Sequence, residues 1–431
     1  MAVDRVAFFG LSRIALCVVP AIVACASPSA WAQDYADSSG KSLIATADLR
    51  LVAADGERSW IDGGFGKSRF GPDAPLPANR LRIDPRAIEG DLAWTPQLGW
   101  SLGAMLAVTA QDGQEHPVDL SEAYLTWLRG PHGNLKLSGR AGLFWPPVSL
   151  EHSGATWAVT ETITPSAINS WIGEEVKVGG AEATASTAIA HHGRVYATLG
   201  LFGFNDTAGT LLAFRGWALS DLKATAFGQV PLPPRAGFLQ FAQAGTTRPV
   251  IELDNRPGYY ARFGWTPEPA IRLHAFYYDN RGNPEASTAG GQWGWRTRFT
   301  ELGGTAALGA TRITAQAMAG RTGMGFPMAG GIWVDTRFRS AYALLTQTIG
   351  KGSLSGRIEA FGTRSEGSVS GPEDSEDGWA ATLAARRSFG EHVTLLAEAL
   401  HVDSDRDARA RTALTPQQDQ NVLQLSLRLH N

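Results

Sequence analysis

Cysteine is nearly missing from this chain of 431 residues, and the two present, Cys17 and Cys25, both fall in its first segment. That segment has the order of a secretory signal peptide. Arg5 and Arg13 precede an apolar stretch, Ile14 to Ala26, and Ala30-Trp31-Ala32 forms a small-residue cleavage site before Gln33. Loss of residues 1–32 leaves a mature chain, 33–431, without cysteine, which excludes a disulfide framework and a thiolate metal site. The leader is short for a membrane anchor and is interrupted by Pro20. Ile22-Val23-Ala24-Cys25 loosely matches a lipobox, but the Ala-Trp-Ala site is the better formed signal.

Long apolar runs are missing after the leader, so no membrane helix is expected. Charge of one sign is not in excess. With 38 Lys and Arg against 41 Asp and Glu, the chain has no global attraction for nucleic acid. Lysine itself is scarce, so the basic side chains are mostly arginine. Gly-x-Ser-x-Gly, a Walker loop, H-E-x-x-H and paired cysteines are all missing. His191-His192 reads as a turn rather than a metal site, because no third ligand lies near it. No metal or cofactor is expected. No linker or low-complexity tract divides residues 33–431, which read as one domain.

What is abundant is glycine (49), tryptophan (14) and strict alternation. Tyr259, Ala261, Phe263 and Trp265 alternate with Tyr260, Arg262, Gly264 and Thr266. Ile271, Leu273, Ala275 and Tyr277 alternate with Arg272, His274, Phe276 and Tyr278. Trp293, Trp295, Thr297 and Phe299 alternate with Gly294, Arg296, Arg298 and Thr300. Period 2 puts one set on each face of a sheet. A soluble sandwich would need a further layer over each apolar face, whereas a closed barrel in a bilayer needs only lipid. The expected fold is an all-β, transmembrane, antiparallel up-and-down barrel of about 16–18 strands, with short periplasmic turns and longer outer loops. A count along the chain reaches about 18, including two weakly patterned segments at Thr210–Ala218 and Leu222–Val230. Leu423, Leu425, Leu427 and Leu429 alternate through the last strand. It ends in Asn431 rather than in the terminal aromatic that barrel-assembly machinery reads.

The stretch Leu120-Ser-Glu-Ala-Tyr-Leu-Thr-Trp127 runs through a turn into Asn134-Leu-Lys-Leu-Ser-Gly-Arg140. It continues as Ala141-Gly-Leu-Phe-Trp-Pro-Pro-Val-Ser-Leu-Glu151. This resembles the phosphate-selective porin O/P family of Gram-negative outer-membrane channels. That family shows an Ala-Tyr strand, a Gly-basic step, aromatic-Pro-aromatic and a Glu. Pro147 and Glu151 match, while Val148 stands where the family has an aromatic. The resemblance covers roughly thirty residues. It implies a channel of about sixteen strands, usually trimeric, for small hydrophilic solutes.

Alternation puts Arg262, Arg272, Arg296, Arg298, Arg312, Arg337, Arg339, Arg357 and Arg386 on the inferred lumen face, with Lys136 and Arg140 earlier in the chain. Inferred lumen acids are fewer: Glu122, Asp335, Glu359 and Glu398. Rings of arginine favour anions by replacing lost hydration; the plainer reading is that they pair with acids and solvate the wall. The segment Pro146–Gly173, with Glu151, His152 and Glu161, is long enough to fold inward as a constriction, or to form an ordinary outer loop. Phe263, Trp265, Tyr277, Trp293, Trp295 and Phe338 are expected to face lipid or a neighbouring barrel.

The function expected is a passive outer-membrane channel with a preference for phosphate-like anions. Its expected partners are outer-membrane lipid and lipopolysaccharide, the assembly machinery and a homotrimer. The alternatives are a lipid-hydrolysing barrel, for which Ser149 and His152 lie close in sequence, or a non-conducting structural or adhesion barrel.

Overall fold

The alternating segments close on themselves in the computed structural model, forming one antiparallel barrel of sixteen strands. Residues 42–72, 82–132, 134–235 and 237–431 are described; the leader and its cleavage site lie outside them. The first strands are β1 Leu43–Ala54, β2 Arg82–Trp94, β3 Leu102–Gln111, β4 Asp119–His132 and β5 Leu135–Phe144. The middle of the wall is β6 Val178–Ile189, β7 Gly193–Gly203, β8 Gly258–Glu268, β9 Ile271–Asp279, β10 Arg296–Leu308 and β11 Thr311–Met328. It finishes with β12 Gly331–Ile349, β13 Gly352–Ser365, β14 Glu376–Phe389, β15 Val393–Asp405 and β16 Gln417–His430. β1 pairs with β16, from Thr46 opposite His430 to Ala54 opposite Val422. Closure leaves the wall without an edge, as a bilayer requires.

One end carries tight turns. Gly309 and Gly350 open two-residue connections with φ of 62° and 58°, a conformation that suits these hairpins and penalises most side chains. The opposite end carries the long connections, of which 55–81, 145–177 and 204–257 are the longest. Outward positions on the lower wall are apolar and exposed, as with Leu199, Leu201, Leu302, Leu345, Leu383 and Leu425.

The count of eighteen fails at Thr210–Ala218 and Leu222–Val230. The first opens as the short helix α2, Thr210–Phe214, and nearly every residue from 210 to 226 is buried. Asp221, Lys223 and Thr225 do alternate with Leu222, Ala224 and Ala226, but both sets are covered, because these segments lie inside the barrel with neighbours on every side. The segment 145–177 also folds inward. Its helix α1, Ala167–Glu175, starts at Ser166, whose hydroxyl accepts the Asn169 N–H, and all nine of its residues are buried. Trp145, Trp157, Trp171, Trp217, Leu211 and Leu219 from these insertions, joined by Trp60 from the connection after β1, form one core with Phe202, Tyr260, Phe276, Phe299, Phe338 and Tyr342 of the inner wall.

This filling inverts the expected facing of several aromatics. Phe299 and Phe338 point inward and pack edge-on against Trp171 at 5.5 and 5.2 Å. Trp293 and Trp295 precede β10 and pack with Trp333 and Phe214 in a second cluster among the long loops. Phe263 and Trp265 lie exposed on the outer wall, and Tyr277 is half-buried there against Tyr259. The cause is general. Where a lumen is packed with protein, its inner face is as apolar as the lipid face, and hydrophobicity alone no longer separates them.

Candidate functional site

The lumen divides into two levels. At the short-turn end the inward side chains are accessible, and the charged ones among them are mostly basic. Lys136, Arg272 and Arg312 are exposed, and Arg194, Arg262, Arg386 and Arg428 are half-buried. A cavity of about 540 Å3 opens there beside Glu161, Lys351, Ser353, Arg386 and Glu391. Glu161 hangs from the inserted segment into this vestibule. It pairs with Arg312 Nη2 at 2.7 Å and accepts the Ser353 hydroxyl at 2.7 Å. Arg262 lies 5.0 Å from the Tyr196 ring centre and 3.1 Å from His274 Nδ1.

Above the vestibule the inward side chains are buried and fasten the plug. Arg357 on β13 uses all five N–H donors. Its partners are Glu359 Oε1 (2.9 Å), Glu151 Oε1 (3.0 Å), the carbonyls of Thr164 (2.8 Å) and Pro165 (3.0 Å), and Thr382 Oγ1 (3.1 Å). The other Glu151 oxygen accepts Ser166 N–H at 2.9 Å, and Glu359 accepts Ala167 N–H at 2.6 Å. Both carboxylates thus sit at the positive end of α1. Glu398 on β15 accepts the N–H groups of Ile163 and Thr164. A second fastening joins Glu376 on β14 to Lys67 Nζ and to Trp217 N–H at 2.9 Å. Burial pulls the Lys67 amine down to about 8, against the opposing pull of Glu376.

A charged seam runs between plug and wall on the β16–β1 side. Arg428 Nε meets Asp48 at 3.0 Å, Arg50 meets Asp48 at 2.7 Å and Asp221 at 2.5 Å, and Arg69 meets Asp221 at 2.9 Å. Lys223 contacts Glu89 at 2.8 Å and Asp91 at 3.2 Å. Lys177 places Nζ 3.3 Å from the Trp145 ring centre and donates to the carbonyls of Ser121 and Ala224.

The sequence-inferred set therefore scatters. Lys136, Arg262, Arg272, Arg312 and Arg386 line the accessible vestibule. Arg140 faces the lumen but is buried, with Nε on Glu182 at 2.8 Å and its guanidinium 4.0 Å from the Phe144 ring. Arg357 is a plug anchor. Arg296, Arg298, Arg337 and Arg339 are exposed on the outer wall, a correction to their assignment to the lumen. They share parity with Leu302 and Leu345, which face lipid. Asp335 likewise pairs outward, with Arg321. Sequence reasoning missed Arg50, Lys67, Arg69, Asp221 and Lys223. Most sit in the insertions, outside the strands whose alternation defines the wall.

His152 and Ser149 do meet, with Nδ1 2.8 Å from Oγ. The arrangement is a turn rather than a nucleophile. Ser149 Oγ also accepts the N–H groups of Glu151 and His152, and the imidazole stacks on Trp157 at 4.4 Å. Burial pulls the His152 imidazole down to about 3, with the Lys223 charge acting the same way. Both side chains are buried inside the barrel, away from lipid. Asp206, Glu252 and Asp254 cluster at the long-loop end. Their oxygens accept backbone N–H groups of Leu253, Phe204, Asn255 and Arg256, which makes them staples of the loop.

No family model matches the sequence, and no curated protein matches it. Solved structures do match. The outer membrane channel DcaP of Acinetobacter baumannii aligns over 90% of this chain and 97% of that one, at 11% identity and TM-score 0.53. A loop-deletion form of OmpT, an outer membrane protein of Vibrio cholerae, aligns over 91% and 100%, at 11% identity and TM-score 0.51. An anion-selective porin from Comamonas acidovorans aligns over 90% and 98%, at 10% identity and TM-score 0.50. At these identities the likeness is one of fold. The narrower resemblance to phosphate-selective porins rests on the 120–151 stretch alone. What the chain shares with these outer-membrane proteins is the β-barrel fold, which in this chain closes at sixteen strands.

Proposed function

We propose that the protein is a porin-type channel of the Gram-negative outer membrane, passing small hydrophilic solutes with a preference for phosphate-like anions. In this reading the chain is secreted, cleaved after Ala32, and inserted as residues 33–431 with its short turns in the periplasm. The homotrimer implied by the family resemblance belongs to the same reading.

The observation that carries it is the vestibule. Lys136, Arg194, Arg262, Arg272, Arg312, Arg386 and Arg428 share one accessible mouth, while the acids beside them are fewer and Glu161 is already paired with Arg312. Coulomb forces between such a wall and a passing ion fade within roughly 8–10 Å at physiological salt, so a mouth of this kind acts locally. Above it, the boundary between plug and wall carries the charged seam Arg428–Asp48–Arg50–Asp221–Arg69, in which Arg50 and Arg69 are 2% and 3% exposed. The Arg428 and Asp221 side chains keep 21% and 15% of their surface exposed. The packed plug makes the unit conductance small.

Reversal potential across a salt gradient, with purified protein in planar bilayers, tests this reading. An anion-biased potential that moves toward zero in Arg272→Gln/Arg312→Gln/Arg386→Gln is expected. Bilayers that never conduct, or a cation bias indifferent to these changes, would overturn it.

A further inference from the structure

A row of arginines runs around the outside of the barrel where its apolar wall ends. Arg298 on β10, Arg321 on β11, Arg337 on β12 and Arg364 on β13 each lie directly opposite the next in the strand register. All four belong to outward-facing sets. Beneath them on the same face come Leu302, Ala317, Ala341 and Ile358. Arg296 and Arg339 add a second tier on β10 and β12. Each arginine lies about eleven to thirteen residues beyond the short turn of its hairpin, a height of about 27–33 Å for a tilted strand. The apolar band of a membrane barrel is about 25 Å tall, so the row sits where hydrocarbon gives way to headgroups.

Like charges directly opposite one another destabilise a sheet, and four in succession call for counter-charge. The wall supplies part of it. Arg296 pairs with Asp279 at 3.6 Å, Arg321 with Asp335, Arg337 with Glu366 at 3.0 Å, and Asp377 serves both Arg364 at 2.6 Å and Arg339 at 3.9 Å. Among the described residues Arg298 has no acidic side chain within ion-pair distance. Six guanidinium groups thus share four carboxylates. The paired arginines stay 44–61% exposed, so most of their N–H donors remain open to a partner in the headgroup layer. Every member is arginine, whose planar fork matches phosphate oxygens two at a time. Tyr259, Tyr277 and Trp379 flank the row on the same outer face, as aromatics do at a membrane interface.

We infer that the outer face of β10–β13 binds the phosphate groups of an anionic lipid in the leaflet at the long-loop end. The inference needs the barrel to span a membrane and does not depend on conduction. A second copy of the chain is the rival occupant, because β14–β16 carry Asp377, Asp403, Asp405 and Asp419 on outward positions near that end. Lipid is favoured by position. Headgroup phosphates meet the row on every copy, whereas Asp377 already serves Arg339 and Arg364 of its own chain.

The test uses the full-length mature chain in detergent, with lipid A as the phosphorylated glycolipid and its dephosphorylated form as comparison. Bound lipid is counted by native mass spectrometry, and heat-modifiable migration on gels reports folding. Arg298→Gln/Arg321→Gln/Arg337→Gln is expected to lose about tenfold or more of its affinity for the phosphorylated lipid. Arg387→Gln, exposed on the same wall near the short-turn end, is expected to keep wild-type binding. The comparison on unaltered protein stands even if the triple variant folds poorly: equal binding of both lipids overturns the inference. So does a folded triple variant that binds the phosphorylated lipid as before, whether or not its oligomers dissociate; dissociation alone would assign the row to a second copy.

Discussion

Arg357 holds the Glu151 carboxylate at 3.0 Å across the boundary between barrel wall and plug, and both side chains are almost wholly buried. The contact joins two segments about 200 residues apart and decides whether 145–177 is a free loop or part of the lumen. Removing one member of a buried pair leaves the other charge unmatched, at a cost of about 3–5 kcal/mol. Arg357→Met should therefore loosen the plug while the outer wall stays closed. Single-channel recording should show a larger unit conductance, and migration on gels should shift to the unfolded position at a lower temperature. Unchanged conductance in a folded variant would mean that the plug is held elsewhere.

The outward arginines carry a prediction opposite to the one that alternation invites. Replacing Arg296, Arg298, Arg337 and Arg339 together by Gln should leave the reversal potential of the channel where it is in the unaltered protein, since these side chains lie outside the lumen. A shift toward cations comparable to that of the vestibule variant would show that they are within reach of the ion path.

Docking of α1 should depend on pH. Burial pushes both Glu174 and Glu175 carboxyls up to about 7, against the Arg215 guanidinium for the first and the donors Trp171, Leu211 and Gly209 for the second. A carboxyl whose folded value lies above its usual 4.5 takes up a proton on folding. Its contribution is full below that usual value, falls as pH rises from 4.5 to about 7, and is gone above. Each group contributes on the order of 3 kcal/mol across the window. The temperature at which the barrel changes gel migration should fall between pH 5 and 8, and Glu175→Gln should flatten that slope. A profile equally steep in the variant would place the titration elsewhere.

Leu199 and Thr198 are neighbours on β7 with opposite fates. Leu199 is 68% exposed on the outer wall, and Thr198 faces inward with its hydroxyl 2.8 Å from that of Thr184. Leu199→Arg should cost about 2–4 kcal/mol in a lipid bilayer if it lies near the midplane. Reversible unfolding in vesicles measures it. A neutral result would place position 199 away from the hydrocarbon.

Alternation through segments such as 259–266, 271–278 and 423–430 was enough for a membrane barrel, because period 2 with an apolar face follows from strand geometry and hydrocarbon alone. It also placed Arg262, Arg272, Arg312 and Arg386 on the inner face, since alternation is unbroken through the stretches that hold them, 259–265, 271–279, 311–324 and 376–389. Parity counted from the lipid-facing Leu302 and Leu345 would have placed Arg298 and Arg337 outward as well. The facing of Phe299 and Phe338 was beyond such counting by hydrophobicity, because a packed interior and a lipid exterior attract the same side chains. The plug was decided by the tertiary structure. Residues 204–230 are only weakly patterned, and their partners, Glu376, Gln111 and the aromatic inner wall, are brought to them only when the strands close. Local pattern records which face of a strand meets a solvent, while the filling of a lumen depends on contacts between residues far apart in the chain.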